Sequence, residues 1–301
     1  MKNPTILDSI LYSIVESVDA DLSRCGLMYH IFSRTKSLHS MQAKLEKKAE
    51  MYRAKNKKMQ DLLALRVTLY FRDDVEIVHQ YLKDQSNFLN ETIDEYDNKT
   101  FCPQRLNLIM KIPDQWSNEM KMFLTQQYPE FSDLLDLTYE IQIRTILSEG
   151  WHEVEHDLRY KCLDDWDGFN EEARLLNGIF ATLENSEWAM LTLFDKLSYS
   201  FYKSNSWTNM MRNKMRVRFF DKSLSDGLSL FLTNNHEVAK NLFRVHRSKV
   251  IRNILEKEFK FPLKYDTMVH LLNRVELKDT SLAKLESDSL RIELDNIFGK
   301  I

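Results

Sequence analysis

Three stretches of this chain abandon the spacing of a helix for strict alternation of apolar and polar residues, and a β-strand is the regular element with a two-residue period. In "LRVTLYFR", Val67, Leu69 and Phe71 alternate with Arg66, Thr68, Tyr70 and Arg72. In "RLNLIMKIP", Leu106, Leu108, Met110 and Ile112 fall on one face, Asn107 and Lys111 on the other. In "TYEIQIRT", Tyr139, Ile141 and Ile143 oppose Glu140, Gln142 and Arg144. Each strand therefore has one face to bury and one to present. Helical spacing surrounds them. Ile6, Ile10, Leu11, Ile14, Val15, Val18 and Leu22 recur with that period across residues 5–32. A further helix is expected from about 36 to 55, with Lys36, Ser40 and Lys44 on one face and Leu38, Met41 and Leu45 on another. The expected fold is α+β, a mixed β-sheet with flanking helices over residues 1–165.

Past residue 166 no alternation recurs. "EEARLLNGIFATLENSEWAMLTLFDKLSYSFY" is helical in its spacing, so residues 166–301 are expected to form an all-helical extension. The break falls near "DDWDGFN", where Asp and Gly interrupt the pattern. Six glycines and five prolines in 301 residues also favour long helices over a turn-rich β fold. Cys25, Cys102 and Cys162 lie too far apart for a disulfide framework or for metal-ligand spacing. The first residues lack the pattern of a secretory leader, and no apolar run has the length of a membrane span. A cytoplasmic protein with no membrane partner is expected.

The net charge of −3 does not choose a partner, but its distribution is uneven. Lys36, Lys44, Lys47, Lys48, Arg53, Lys55, Lys57 and Lys58 face only Glu46 and Glu50, a local field suited to polyphosphate as well as to plain solvation. Asp61 stands five residues before Arg66. If the first and third strands are neighbours, Asp61 and Glu140 converge at one edge. Two carboxylates that meet require a divalent cation or a shared proton. Mg²⁺ takes one or two carboxylates and completes its shell with phosphate oxygens. Arg34, Lys36, Lys44, Arg66 and Arg144 would neutralise those phosphates, the combination on which phosphoryl-type transfer depends. A second motif competes: "GWHEVEH" contains H-E-x-x-H, the spacing of a zinc hydrolase, which would need a third ligand such as Glu171, Glu172 or Glu184.

"SRTKSLHSMQAK", "DLLALRV", "EIQIRT" and "EHDLRYK" follow one another in the order and approximate spacing of RelA/SpoT-type alarmone synthetases, and the chain resembles the small stand-alone members over roughly residues 30–165. That resemblance implies transfer of the β,γ-pyrophosphate of ATP to the 3′-hydroxyl of GDP or GTP, with Mg²⁺ as cofactor. It implies that Arg34, Lys36, Ser40 and Lys44 contact the ATP phosphates, that Arg66 faces the donor, and that Asp61 and Glu140 hold Mg²⁺. Glu140 would also accept the proton of the attacking hydroxyl. Asn107, Gln142, Arg144, His156 and Lys161, with Tyr160, would line the acceptor side. Trp151, Glu155 and His156 fit the family pattern upstream of "YK", which makes His152 and Glu153 a coincidental completion of H-E-x-x-H. No hydrolase region of the long members is expected.

One family element is missing. A glycine-tyrosine loop, whose tyrosine stacks on the acceptor base, is replaced by "DNKTFCPQRLNLIMKIP", with Asn107 where a histidine would stand and Phe101 or Tyr96 as replacement rings. Guanine nucleotide remains the first acceptor. An adenine nucleotide or a tRNA 3′ end is the alternative, as is a non-catalytic nucleotide sensor. The extension has two basic stretches, "KMRVRFFDK" with Arg216 and Arg218, near Trp207, Phe219 and Phe220, and "KNLFRVHRSKVIR" with Lys249; packed amphipathic helices and RNA contact both fit. The acidic amphipathic end, "VELKDTSLAKLESDSLRIELDNIF", suits a cap, a homo-oligomer contact or an occluding segment.

Overall fold

The computed structural model describes residues 5–93 and 106–301. Phe101, Tyr96 and Cys102 lie outside the described residues. The chain divides into two compact units, one of Met1–Asp19, Tyr29–Leu69 and Val78–Ala181, the other of Ala20–Met28, Tyr70–Ile77 and Thr182–Ile301.

The first unit is built on a five-stranded sheet. In chain order the strands are β1 (Tyr29–Thr35), β2 (Leu63–Leu69), β3 (Phe88–Ile93), β4 (Leu106–Lys111) and β5 (Thr138–Thr145). Their spatial order is β1-β2-β5-β4-β3; β2 and β5 run parallel and the other pairs antiparallel. The mixed sheet matches the expectation, with two strands more than the alternation reveals. β1 overlaps the end of the stretch that reads as helical, and Arg34 sits near the strand's C-terminal end. β2 ends at Leu69, so Tyr70, Phe71 and Arg72 do not continue it. Leu65, Val67, Leu69, Leu108, Met110, Tyr139, Ile141 and Ile143 line the apolar side of the three central strands, and all are buried.

Helix α1 (Ile6–Arg24) precedes the sheet and buries Leu7, Ile10, Ile14, Val18 and Leu22 at helical spacing. α2 (Leu38–Ala54) starts at Ser37, whose side chain accepts from the Ser40 amide at 3.2 Å, and buries Met41 and Leu45. α3 (Arg72–Lys83), α4 (Asp114–Gln127) and α5 (Ile146–Leu158) follow β2, β4 and β5. At the start of α5, Thr145 caps the Ser148 amide at 3.2 Å. A 3-10 turn at Tyr160–Trp166 and Gly168, at φ +84°, separate α5 from α6 (Asn170–Lys203).

The second unit is helical among the described residues, from the later turns of α6 through α7 (Trp207–Met215), α8 (Asp226–Asn234), α9 (His236–Arg244), α10 (Arg247–Glu256), α11 (Tyr265–Leu272), α12 (Thr280–Ala283) and α13 (Asp288–Phe298). Its core includes Trp207, Met210, Leu232, Ile251, Ile254, Met268 and Leu272. Two buried ion pairs sit in that core: Asp74 with Arg247, and Arg274 with Glu286. Gly26 is required where it stands. Its φ is +69°, and a Cβ there would come within 2.8 Å of the Arg218 carbonyl oxygen. No helix among the described residues is long and apolar enough to cross a membrane.

Candidate active site

Strand register collects the polar residues on one side of the sheet. Across β1, β2, β5 and β4, Arg34 pairs with Ala64, Ala64 with Glu140, and Glu140 with Ile109; one step along, Phe32 pairs with Arg66, Arg66 with Gln142, and Gln142 with Asn107. Directly paired residues point to the same face, as do residues two apart on a strand. Arg34, Arg66, Glu140, Gln142, Arg144 and Asn107 therefore share one face, opposite the buried apolar one. Ala64 leaves the floor between Arg34 and Glu140 low.

Neutral donors hold Glu140. Asn107 Nδ2 donates to Oε1 at 2.5 Å and Gln142 Nε2 to Oε2 at 3.2 Å. No cation pairs with this carboxylate among the described residues, so its charge is available to a ligand. Asn107 Oδ1 is buried without a hydrogen-bond partner beside it.

Asp61 lies just before β2, three residues ahead of the residue that registers against Glu140. Lys36 Nζ reaches Asp61 Oδ2 at 2.5 Å, and Lys44 Nζ bridges both oxygens at 2.8 and 2.9 Å. Lys36 is placed by its backbone amide, which donates to the Leu62 carbonyl at 2.9 Å, and Lys44 projects from α2 two turns past the Ser37 cap. Burial raises the Asp61 pKa, but the two lysine hydrogen bonds outweigh it and hold the carboxyl below its usual value. The lysines differ: burial wins at Lys36 and lowers its pKa, whereas at Lys44 the bonds to Asp61 win and raise it. With one carboxylate against two ammoniums, the cluster keeps an excess positive charge. Ser40 is exposed in the first turn of α2, and Arg34 is exposed with no ion pair among the described residues.

Two further acids lie on the same face: Glu149, which no motif singles out, and Glu153, the glutamate of H-E-x-x-H. Glu149, buried on α5, ties Arg66 Nη1 through one oxygen and Arg144 Nη1 through the other, the latter at 3.0 Å. Glu153, one turn on, also binds Arg66 Nη1, while Arg66 Nε donates to Gln142 Oε1 at 3.1 Å. The signal in the sequence was there: an acid in the first turn of the helix that follows "EIQIRT", and another four residues later. His152 lies in the same neighbourhood. Burial, then the charges of Arg144 and Arg66, push its pKa down to about 4.

His156 and Lys161 are held elsewhere, on the exposed side of α5 and the turn after it. Both meet Asp157, at 3.1 and 2.6 Å. The rings of His152 and His156 on α5 and of Tyr160 in the turn after it stack at 6.0 and 5.6 Å. Trp151 is buried against Phe180, and Glu155 pairs with Arg159. H-E-x-x-H does not gain a third ligand: no group of three His, Cys, Asp or Glu among the described residues is arranged to hold a metal ion. Glu153 is engaged by Arg66 and Glu184 by Arg72. Asp61 and Glu140 instead offer oxygen only. Glu140 has no cationic partner among the described residues, and Asp61 is held by Lys36 and Lys44. That donor set fits Mg²⁺ chemistry, in which phosphate completes the shell.

With this geometry in hand, the family model described as the region found in RelA / SpoT proteins matches residues 33–165. Among curated proteins none matches the chain. Similar solved structures include small alarmone synthetase 2 from Bacillus subtilis, 21% identical, with 61% of this chain and 94% of that one covered at a TM-score of 0.43. Small alarmone synthetase 1 from the same organism, bound to its product pppGpp, is 20% identical over 61% and 92% at 0.41. A GTP pyrophosphokinase family protein from Streptococcus pneumoniae is 17% identical over 62% and 88% at 0.42.

Proposed function

We propose that the chain, whose residues 33–165 match the model of the region found in RelA / SpoT proteins, transfers the β,γ-diphosphate of ATP to the 3′-hydroxyl of GDP or GTP. The observation that carries this reading is Glu140, a carboxylate held by neutral donors on a sheet face that also presents Arg34, Arg66 and Arg144. In this reading the acceptor's 3′-oxygen attacks the β-phosphorus, the bond from that phosphorus to the α–β bridging oxygen breaks, and AMP leaves. Glu140 takes the hydroxyl proton, and Asn107 and Gln142 keep its oxygens aimed. Arg34, Lys36, Ser40, Lys44 and Arg66 hold the donor phosphates. Gln142, Arg144 and Asn107 form the acceptor side, while His156 and Lys161, bound to Asp157, are not part of it in this reading. Charge stabilisation and positioning are the main contributions a protein makes to such a transfer. Asp61 and Glu140 would hold Mg²⁺, which neutralises charge on the β- and γ-oxygens when bound. Residues 1–165 serve as the synthetase part and 166–301 as the helical extension.

The test is an acceptor panel. Labelled ATP with Mg²⁺ is incubated with GDP, GTP, ADP, ATP or bulk tRNA, and AMP and product are resolved by chromatography. AMP release dependent on GDP or GTP is expected, and loss of it on chelation. Release that requires tRNA or an adenine nucleotide overturns the acceptor, and ATP binding without AMP release under any acceptor overturns the transfer itself.

A further inference from the structure

Two carboxylates on α5 converge on a single guanidinium nitrogen, and their surroundings differ sharply. Glu149 has a side-chain exposure of 10%, and its second oxygen is committed to Arg144, itself at 9%. Glu153 is 53% exposed and has Arg66 as its ion-pair partner. Removing Glu149 would leave two half-buried or buried guanidiniums without their shared anion, which is costly. Glu153 can rotate into solvent and be rehydrated at little cost. Charge points the same way. Arg66 and Arg144 against Glu149 and Glu153 are neutral as a set; with Glu153 withdrawn, one positive charge faces the ligand side. Arg66 Nε donates to Gln142 and Nη1 to Glu149, contacts that do not involve Glu153, so the guanidinium has two other groups to orient it.

We propose that Glu149 is a positioning residue that fixes Arg66 and Arg144 on the sheet face, and that Glu153 is a displaceable counter-ion whose place on Arg66 an incoming polyphosphate takes. The proposal rests on reading that face as a polyphosphate site, and it adds the control of that site's anion affinity. Glu153 screens Arg66 against weak anions, and a triphosphate, with more charge and more acceptor oxygens than one carboxylate, displaces it. H-E-x-x-H then has a use that involves no zinc: its glutamate is the screen.

Binding of inorganic tripolyphosphate by calorimetry, without nucleotide, tests the screen independently of turnover. Glu153→Gln should tighten it by about two- to fivefold, the worth of an ion pair at this exposure. In AMP-release assays the same variant should lower the KM for ATP. Glu149→Gln should lower kcat by about tenfold or more, and Glu149→Asp, which retains the charge, should restore part of it. Unchanged or weaker tripolyphosphate binding by Glu153→Gln overturns the proposal, as does a Glu149→Gln enzyme with the kcat of the parent. No AMP release by the parent, together with tighter binding by Glu153→Gln, removes the transfer reading and leaves this one standing.

Discussion

Glu140→Gln separates the chemistry of the site from its architecture, and the hydrogen bonds around the carboxylate set the size of both effects. The side chain accepts from Asn107 Nδ2 at 2.5 Å and from Gln142 Nε2 at 3.2 Å. A glutamine keeps one acceptor oxygen and replaces the other with an NH₂ group. That group would oppose a donor, except that Asn107 Oδ1 is buried and unpaired next to it. Turning the Asn107 amide presents this oxygen to the new NH₂ group, so both contacts survive. What is lost is the difference between charged and neutral hydrogen bonds, about 1 kcal/mol. Desolvation of the removed charge returns part of it. The melting temperature is therefore expected to change by no more than about 3 °C. Catalysis loses its base, which contributes about 10²- to 10⁴-fold. Circular-dichroism melts and AMP release with GDP or GTP measure the two quantities on one sample. Residual turnover above about a tenth of the parent refutes the role of Glu140 as base. A melting temperature lowered by about 8 °C or more refutes the amide-turn argument, because the acid would then be holding the sheet together.

Three other perturbations follow from the packing. His152 has a folded pKa near 4 against 6.5 unfolded, so the unfolded chain holds more protons between these values, and stability should fall as pH drops through that window. Urea midpoints at pH 7 and pH 5 should diverge less for His152→Asn than for the parent, and equal divergence refutes the shift. Gly26→Ala forces a Cβ to within 2.8 Å of a backbone oxygen at φ +69° and should cost about 2 kcal/mol or more, whereas Gly150→Ala, in α5 with nothing within 4 Å, should stabilise by about 0.5–1 kcal/mol. Denaturant melts that rank the two the other way would contradict both arguments. Asp74→Ala leaves Arg247, whose side chain is 5% exposed, with Asp73 at 3.5 Å as its remaining ion-pair partner, and should destabilise by about 3 kcal/mol in the same assay; a loss below about 1 kcal/mol would show that the pair contributes little.

The three strands legible in the sequence are those whose alternation is complete, and each has two sheet neighbours. The two that escape notice are the edges. In β1, "YHIFSRT", Tyr29 is buried, while His30, Phe32, Ser33 and Arg34 are exposed. In β3, "FLNETI", both faces are largely exposed. An edge strand buries less, so it carries less periodic signal. The partners of the site residues were also hidden. Asp61 to Lys36 and Lys44 spans 25 and 17 residues, and Arg66 to Glu149 spans 83.

From its residue order alone this protein had a mixed sheet, a polar strand face bearing Glu140, Gln142 and Arg144, and a helical remainder, because the period of side chains along a strand or helix is a local property of the backbone. Tertiary structure decided that Ala64 registers against Glu140 and Arg66 against Gln142, that Lys36 and Lys44 close on Asp61, and that Glu149 is buried between two arginines. Those outcomes depend on which strand pairs with which, and at what offset. The choice is made by how the apolar face of the whole sheet is buried, so it is written in no single segment.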